Sequence, residues 1–490
     1  MAAETKPLSS PSSAAAWPGG SGRWRRYGRR LAGVACLLCC SFAVLEALLP
    51  GRHFDAVAVI FLYFYIVLDP GNVRRSQALI ALALATIGLS AAAVHGLLLD
   101  IVWQGSRSTL VFMLLFASVT LLQYPATHSP AMTVVRRLIG GLSPGRRYLW
   151  LTLASHFLSA VTNFAGFSLL SSFIVGNRDP RINLRLSLAL TRGFTIASTW
   201  SPFFLGMAVV VSVMPHLRWI DIAVPGLLLG VVLTLLGFAM DRLENRRAVA
   251  LAEADEPAPP PLPRAEGRAG LMRIVALSVG LVVAVAAFNA VTGVQMSATI
   301  AIVVAVFSLV WLVALRRRGV RGEDGAPLAP RAYGISLIDS VSTLRGIAVL
   351  FIGANMFGQG IASVLDGHML VDAAGAIGIT GVLWIPFLLV VIAIGSSLGL
   401  HTVILIVVFG HTLPIGALGI SEQTLALVFL TSWGIGGVLS PLSNITLYVA
   451  QILGMSSWTY SWRDNGPYCA ASIVVASIVI IAFQMLTGGA

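Results

Sequence analysis

Two polar interruptions, each carrying a proline, are where this sequence is best equipped to do chemistry. Ser201-Pro202 and Ser440-Pro441-Leu442-Ser443-Asn444-Ile445-Thr446 both lie near the middle of apolar stretches. A proline there has no N–H to give and disrupts the preceding turn, so backbone carbonyls come free at depth. Carbonyls beside hydroxyls and amides form an oxygen-rich place for a coupling cation or a polar solute. Two further interruptions, Thr162-Asn163-Phe164-Ala165-Gly166 and Gly395-Ser396-Ser397-Leu398-Gly399-Leu400-His401-Thr402, have the small, polar make-up of hairpin tips. Helices that start at such tips present partial positive charge, which suits an anion. The candidate substrate-binding residues are therefore Thr162, Asn163, Ser201, Ser396, Ser397, Thr402, Ser443, Asn444 and Thr446.

Ionisable and amide side chains at depth are the next candidates, because burying them in hydrocarbon is costly. Arg192 falls about two turns into one apolar run. It has two readings: counter-charge for an anionic solute, or a side chain that snorkels to the surface. Asn355, with Gln359 one turn later, lines a site or glues helices together. His401 is a proton relay or a satisfied donor. Glu46 and Asp339 lie near run ends, where solvation is easy, which disfavours a cation/proton antiporter built on a central carboxylate. Cys36, Cys39 and Cys40 share one apolar run without a His or carboxylate partner, so neither a metal centre nor a disulfide framework is expected.

The elements that must position these residues are membrane helices. Of 490 residues 57% are hydrophobic and only 11% charged, with a mean hydropathy of +0.88. The net charge of +12 is nearly all arginine, clustered between apolar runs. That pattern fits the positive-inside rule and not a nucleic-acid-binding face. Residues 1–30 are expected to be a disordered cytoplasmic N-terminus, followed by an uncleaved first helix. Tracking arginine side to side gives spans at about 31–49, 56–68, 78–98, 110–122, 186–213 and 222–240 in a first half, 31–241. The Pro-rich segment 242–273 is a cytoplasmic linker. A second half, 274–490, holds spans at about 274–291, 300–315, 346–364, 425–453 and 470–486. The run 149–175 has basic flanks on both sides and is expected to enter and leave by the same face; about 375–413 is its counterpart from outside. The expected architecture is an all-α polytopic membrane protein with about eleven transmembrane helices and two re-entrant hairpins.

The two halves carry the same markers in the same order. Leu190-Thr191, Ser201-Pro202 and Trp219-Ile220-Asp221 answer to Leu430-Thr431, Ser440-Pro441 and Trp462-Arg463-Asp464, which suggests an inverted-topology repeat. From about Ala56 onward this layout resembles the ion transporter superfamily of divalent anion:sodium symporters, citrate transporters and arsenite permeases. In that family each repeat has a re-entrant hairpin with a Ser-Asn-Thr-type tip, then an unwound helix broken at proline. Thr162-Asn163 looks like part of the first tip, and Ser396-Ser397 with His401-Thr402 stands in the place of the second, though neither is a full Ser-Asn-Thr.

The function expected is secondary active transport of a small anionic solute across the inner membrane by alternating access, coupled to Na+ or H+. Na+ as coupling ion is the one cofactor-like species considered. The partners expected are the solute, the bilayer and a second copy in a homodimer, with no nucleic acid. The alternatives are a cation/proton antiporter of the same fold, a membrane-embedded lipid-modifying enzyme and a passive channel. No His/Glu metal motif, Asp-rich diphosphate motif or sizeable soluble domain speaks for an enzyme.

Overall fold

The computed structural model describes residues 22–68, 73, 75–142, 144–174, 179–244, 264–322 and 325–487. Most of the expected N-terminal segment and the Pro-rich core of the linker lie outside the described residues. Among the described residues the chain is α-helical, with a single isolated β-bridge between Arg321 and Pro327. This is a multi-pass membrane protein. Among the described residues eight helices are long and apolar enough to cross a bilayer, including Trp219–Glu244, Met296–Arg317 and Gly466–Thr487. Their outward faces carry exposed Val224, Leu228, Leu235, Val306 and Ile478, a surface that lipid solvates and water does not.

The first helices are α1 (Gly22–Leu48), α2 (Phe54–Val67), α3 (Arg75–Ala93) and α4 (Leu98–Thr127). The expected second and third spans are short apolar helices here, and the fourth is longer than hydropathy alone suggested, at 30 residues. Together with α13 (Pro330–Ser342) and α14 (Arg345–Val364) these helices supply a core of their own. Within it α3 and α14 run side by side in the same direction. Gly346, Gly353 and Gly360, seven residues apart, lie against Gln77, Ala81 and Gly88 in turn. Small residues let two backbones approach in a medium that offers no hydrophobic drive to associate.

A larger core holds the rest. It is built from α5 (Pro130–Gly140), α6 (Pro144–Thr162), α7 (Phe164–Leu170), α8 (Pro180–Ile196), α9 (Leu205–Val213) and α10 (Trp219–Glu244). After the linker come α11 (Arg264–Thr292) and α12 (Met296–Arg317), and beyond α14 lie α15 (Gly367–Ala376), α16 (Trp384–Ser397) and α17 (Thr402–Thr412). The chain closes with α18 (Glu422–Leu439), α19 (Asn444–Leu453), a π-helical turn at Thr459–Asp464 and α20 (Gly466–Thr487).

Two reversals and two breaks organise this core. At Asn163 the backbone adopts φ 53° and ψ −131°, and α7 folds back on α6. A methyl group added at Gly166 would lie 3.0 Å from the carbonyl carbon of Leu158. Eight residues of continuous helix would hold these positions roughly 12 Å apart, so the chain turns round. The second reversal runs through Leu398–His401 and brings Gly395 against Leu405. The segment before it is not part of the hairpin: α15 makes a 100° bend with the helix that leads into the reversal. The run 186–213, expected to be a span broken at Ser201-Pro202, is two helices, α8 and α9, with a short 3-10 turn at Ala197–Thr199 and an open stretch to Phe204 between them. Its counterpart, α18 and α19, separates at Ser440–Ser443.

Candidate functional site

The first arm of the first hairpin holds the first break by three side-chain hydrogen bonds. His156, Ala160 and Asn163 sit at positions i, i+4 and i+7, so they share one face of α6. Trp200 donates its indole N–H to His156 Nε2 at 2.9 Å. One turn on, the Ser201 hydroxyl donates to the Ala160 carbonyl. At the tip, the Asn163 amide donates to the Phe203 carbonyl at 3.4 Å. Pro202 explains why the break exists, since it supplies no N–H. The ladder explains why it keeps one shape: Ser201 is fully buried and also accepts from the Phe203 N–H at 3.2 Å.

The second break is held differently. Ser443 caps α19, accepting from the Thr446 N–H at 3.2 Å, and donates back to the Gly437 carbonyl at 2.6 Å. The Thr446 hydroxyl faces the Val438 carbonyl at 3.4 Å. Gly437 and Val438 carbonyls with Ser443 and Thr446 hydroxyls form an oxygen set of the kind a hard cation takes. The second hairpin meets α18 at a bare glycine. Ser396 and Thr402 hydroxyls pair at 2.9 Å across its base, and a methyl group added at Gly436 would collide with both.

Each hairpin's returning arm crosses to the other half. Phe164 and Phe167 on α7 set their rings 5.3 and 6.0 Å from Tyr448 on α19, and Ser171 lies 3.0 Å from the Tyr448 hydroxyl. On the other side Gly410 of α17 lies against Val213 of α9. The breaks meet where α8 crosses α18: Ser198 donates to the Leu430 carbonyl at 3.1 Å, and Gly434 abuts the Thr195 carbonyl. Behind that crossing a small cavity is lined by Thr195, Thr199, Leu233, Thr431, Tyr468 and Ser472.

The structure thus brings Asn163 and Ser201 together at one break. Thr162, buried, donates to the Leu158 carbonyl of its own helix. Ser396, Thr402, Ser443 and Thr446 gather around Gly436–Val438 at the other break. Ser397 points outward, its hydroxyl on the Ile394 carbonyl, and Asn444 is exposed at the start of α19.

Two candidates are elsewhere. Arg192 is 2% exposed, so it neither reaches the surface nor stands at a tip. Its guanidinium donates to the Tyr148 hydroxyl at 3.1 Å and the Asp464 carbonyl at 3.3 Å, and lies 4.6 Å from the Tyr468 ring centre. Tyr148 is 15 residues, about 20 Å of helix, from the tip at Asn163. Asn355 donates to the Phe351 carbonyl and to Thr109 of α4, and Gln359 donates to Ser108. That arrangement joins α14 to α4. His401 caps α17 by accepting from the Val403 N–H.

The sequence reading missed His156 and Gly436. A histidine in a membrane helix is itself a signal, but its partner Trp200 is 44 positions away.

No protein-family model matches the sequence, and no curated protein matches it. Solved structures do. Over 84% of this chain and 95% of its own, MtrF of Neisseria gonorrhoeae superposes with a TM-score of 0.55 at 12% identity; it is described as illuminating a class of antimetabolite efflux pumps. The YdaH transporter of Alcanivorax borkumensis, described as having an unusual topology, covers 93% of this chain and 98% of its own, with a TM-score of 0.51 at 15% identity. This chain has the fold of these two transporters. The resemblance to the divalent anion:sodium symporters is corrected accordingly, because MtrF and YdaH are of a different family. Ser-Pro breaks and small polar tips report a local backbone need, so they carry architecture without carrying family.

Proposed function

We propose that this protein is a secondary active transporter of a small anionic solute, working by alternating access in the inner membrane. In this reading about eleven spans and two re-entrant hairpins form two inverted repeats, and an Na+ or H+ gradient drives the cycle. The observation that carries it is the matched pair of helix breaks, each engaged by the hairpin of its own half, with each returning arm crossing to the other half. Non-helical backbone at membrane depth is sustained where it is buried in protein or lines a cavity. Discontinuous helices at a repeat interface are where transporters bind solute and coupling ion. The likeness to MtrF and YdaH supports the same reading. Helix starts at Leu205, Thr402 and Asn444 supply the partial positive charge an anion needs. Arg192, tied to Tyr148 and Asp464, is left out of the binding role.

Counterflow of labelled candidate anions into proteoliposomes tests the proposal. The expected result is a saturable flux that follows an Na+ or H+ gradient and falls in Ser201→Ala. A flux linear in concentration and indifferent to both gradients would make the protein a channel instead.

A further inference from the structure

His156 is the titratable member of the ladder that joins the first hairpin to the first break. It is 3% exposed. Indole N–H is a donor only, so Nε2 of His156 must carry the lone pair and Nδ1 the proton. Among the described residues that Nδ1 has no hydrogen-bond partner. The ring also lies 5.9 Å from the Trp200 ring at 29°, nearly parallel. Trp200 in turn is tied to the start of α10, where Trp219 donates its indole N–H to the Trp200 carbonyl at 2.8 Å. One imidazole therefore touches the hairpin, the break and the next helix.

We propose that His156 is a proton-binding site whose occupancy unlatches the first hairpin from the first break, so that H+ is the coupling ion at this half. The proposal rests on the transporter reading above. The chemistry is a single proton transfer. A proton from solvent adds to Nε2, the imidazole becomes a cation with two N–H donors, and the indole N–H loses its acceptor. Two donors then face each other, and the ladder loses the rung nearest α10. The Ser201 and Asn163 rungs accept at backbone carbonyls and do not titrate.

Among the described residues no charged group is hydrogen-bonded or ion-paired to the ring. The ring faces Phe157 from its own helix, Trp200 from the break and Gly230 from α10, where Thr199 and Ile196 also converge. Tyr148 lies eight residues back on α6, roughly 12 Å. Arg192 packs beside Gly237, seven residues along α10 from Gly230, roughly 10 Å. Of the other helices against α6, α4 carries Asp100 in its first turn, Arg107 paired with Asp55, and Tyr124 with its ring 4.4 Å from that of His128. From α11 come Glu266 and Arg273 near its start, and from α5 comes Arg137 in its last turn.

Hydrogen exchange on the full-length protein in nanodiscs tests this without any solute, so its failure is separable from failure of the flux assay. The amides to follow are Ser201, Phe203 and Phe204, bonded to the Ala197 carbonyl, the Ser201 hydroxyl and the Ser201 carbonyl. Protection, corrected for the intrinsic pH dependence of exchange, should fall about tenfold or more between about pH 8 and pH 4. In His156→Gln it should be flat with pH. Trp200→Phe keeps an aromatic ring and removes the N–H, so protection should be low and flat. A wild-type protein with constant protection across that range overturns the proposal. So does a His156→Gln protein that loses protection with pH as the wild type does. Should His156→Gln not fold, a wild-type-like pH response in Trp200→Phe overturns it equally.

Discussion

The two broken helices, α8–α9 and α18–α19, occupy matching places and are secured by different forces. The first is gripped from outside. Its break is bonded to the hairpin by His156, Ala160 and Asn163, and its far end is locked by Arg185, which binds Asp241 of α10 through two contacts of 2.7 Å. The second is largely self-contained. Ser443 and Thr446 bond back to Gly437 and Val438, and the hairpin touches by shape at Gly436. Where α8 uses an ion pair to reach α10, α18 uses neutral groups to reach α20: Thr424 donates to Gln484 at 2.5 Å, and the Ser421 N–H does so at 3.0 Å. Two broken helices of similar outline are thus held by different chemistry. Hydrogen bonds between hairpin and break must be exchanged for others when the hairpin moves, whereas a contact made by shape can slide. On the transport reading proposed above, the first hairpin is thus the one whose release from its break would need a proton or solute.

The largest expected effect is at the ion pair. Asp241→Ala leaves the Arg185 guanidinium buried beside Tyr148 and should cost about 3–5 kcal/mol of stability, against about 1–2 kcal/mol for Gln484→Ala. Denaturant titration in mixed micelles reads both, and equal costs would show that the two halves are anchored alike. Next in size is the glycine contact. Gly436→Ala should cost about 1–3 kcal/mol by overpacking Thr402 and Ser396. Gly437→Ala should cost much less, since its added methyl meets only the Thr195 methyl group, at 3.7 Å. Thermal unfolding of the pair checks this, and indistinguishable midpoints would mean the second hairpin does not dock on α18 as described.

A smaller difference is expected at the first tip. Both Asn163→Ala and Asn163→Gly lose the Phe203 rung, but alanine must also hold a positive φ, so it should be the less stable by about 1 kcal/mol. Equal stability in denaturant would say the turn relaxes. Smallest is the cap. Ser443→Ala should cost about 1 kcal/mol, seen as a modest shift in thermal midpoint, because one N-cap acceptor is lost.

Much of the scaffold was legible before any coordinates. Apolar runs marked out many of the helices and proline placed both breaks, because each effect is local to a few residues, while α5 and α13 fell outside the expected spans. The tip at Asn163 was legible for the same reason: small polar residues in a run with basic ends have few other uses in hydrocarbon. Partners were not legible. Arg192 had two readings from sequence, and neither foresaw Tyr148 and the Asp464 carbonyl, which approach it from 44 and 272 positions away. Asn355 was read with its neighbour Gln359, but which helix they face depends on how α14 rotates against α3, a matter of three glycines meeting Gln77, Ala81 and Gly88.

The sequence by itself therefore determined that this is a helical membrane protein and where two of its helices must fail. Those properties follow from hydropathy, charge and the missing proline N–H, which act on a residue wherever it sits. Only the tertiary structure decided which hairpin grips which break and by what means. It set His156 against Trp200 and left a glycine at 436 to receive the other hairpin. Hydrogen bonds and close approach act over about 3 Å, and only the folded chain brings residues so distant in sequence within that range.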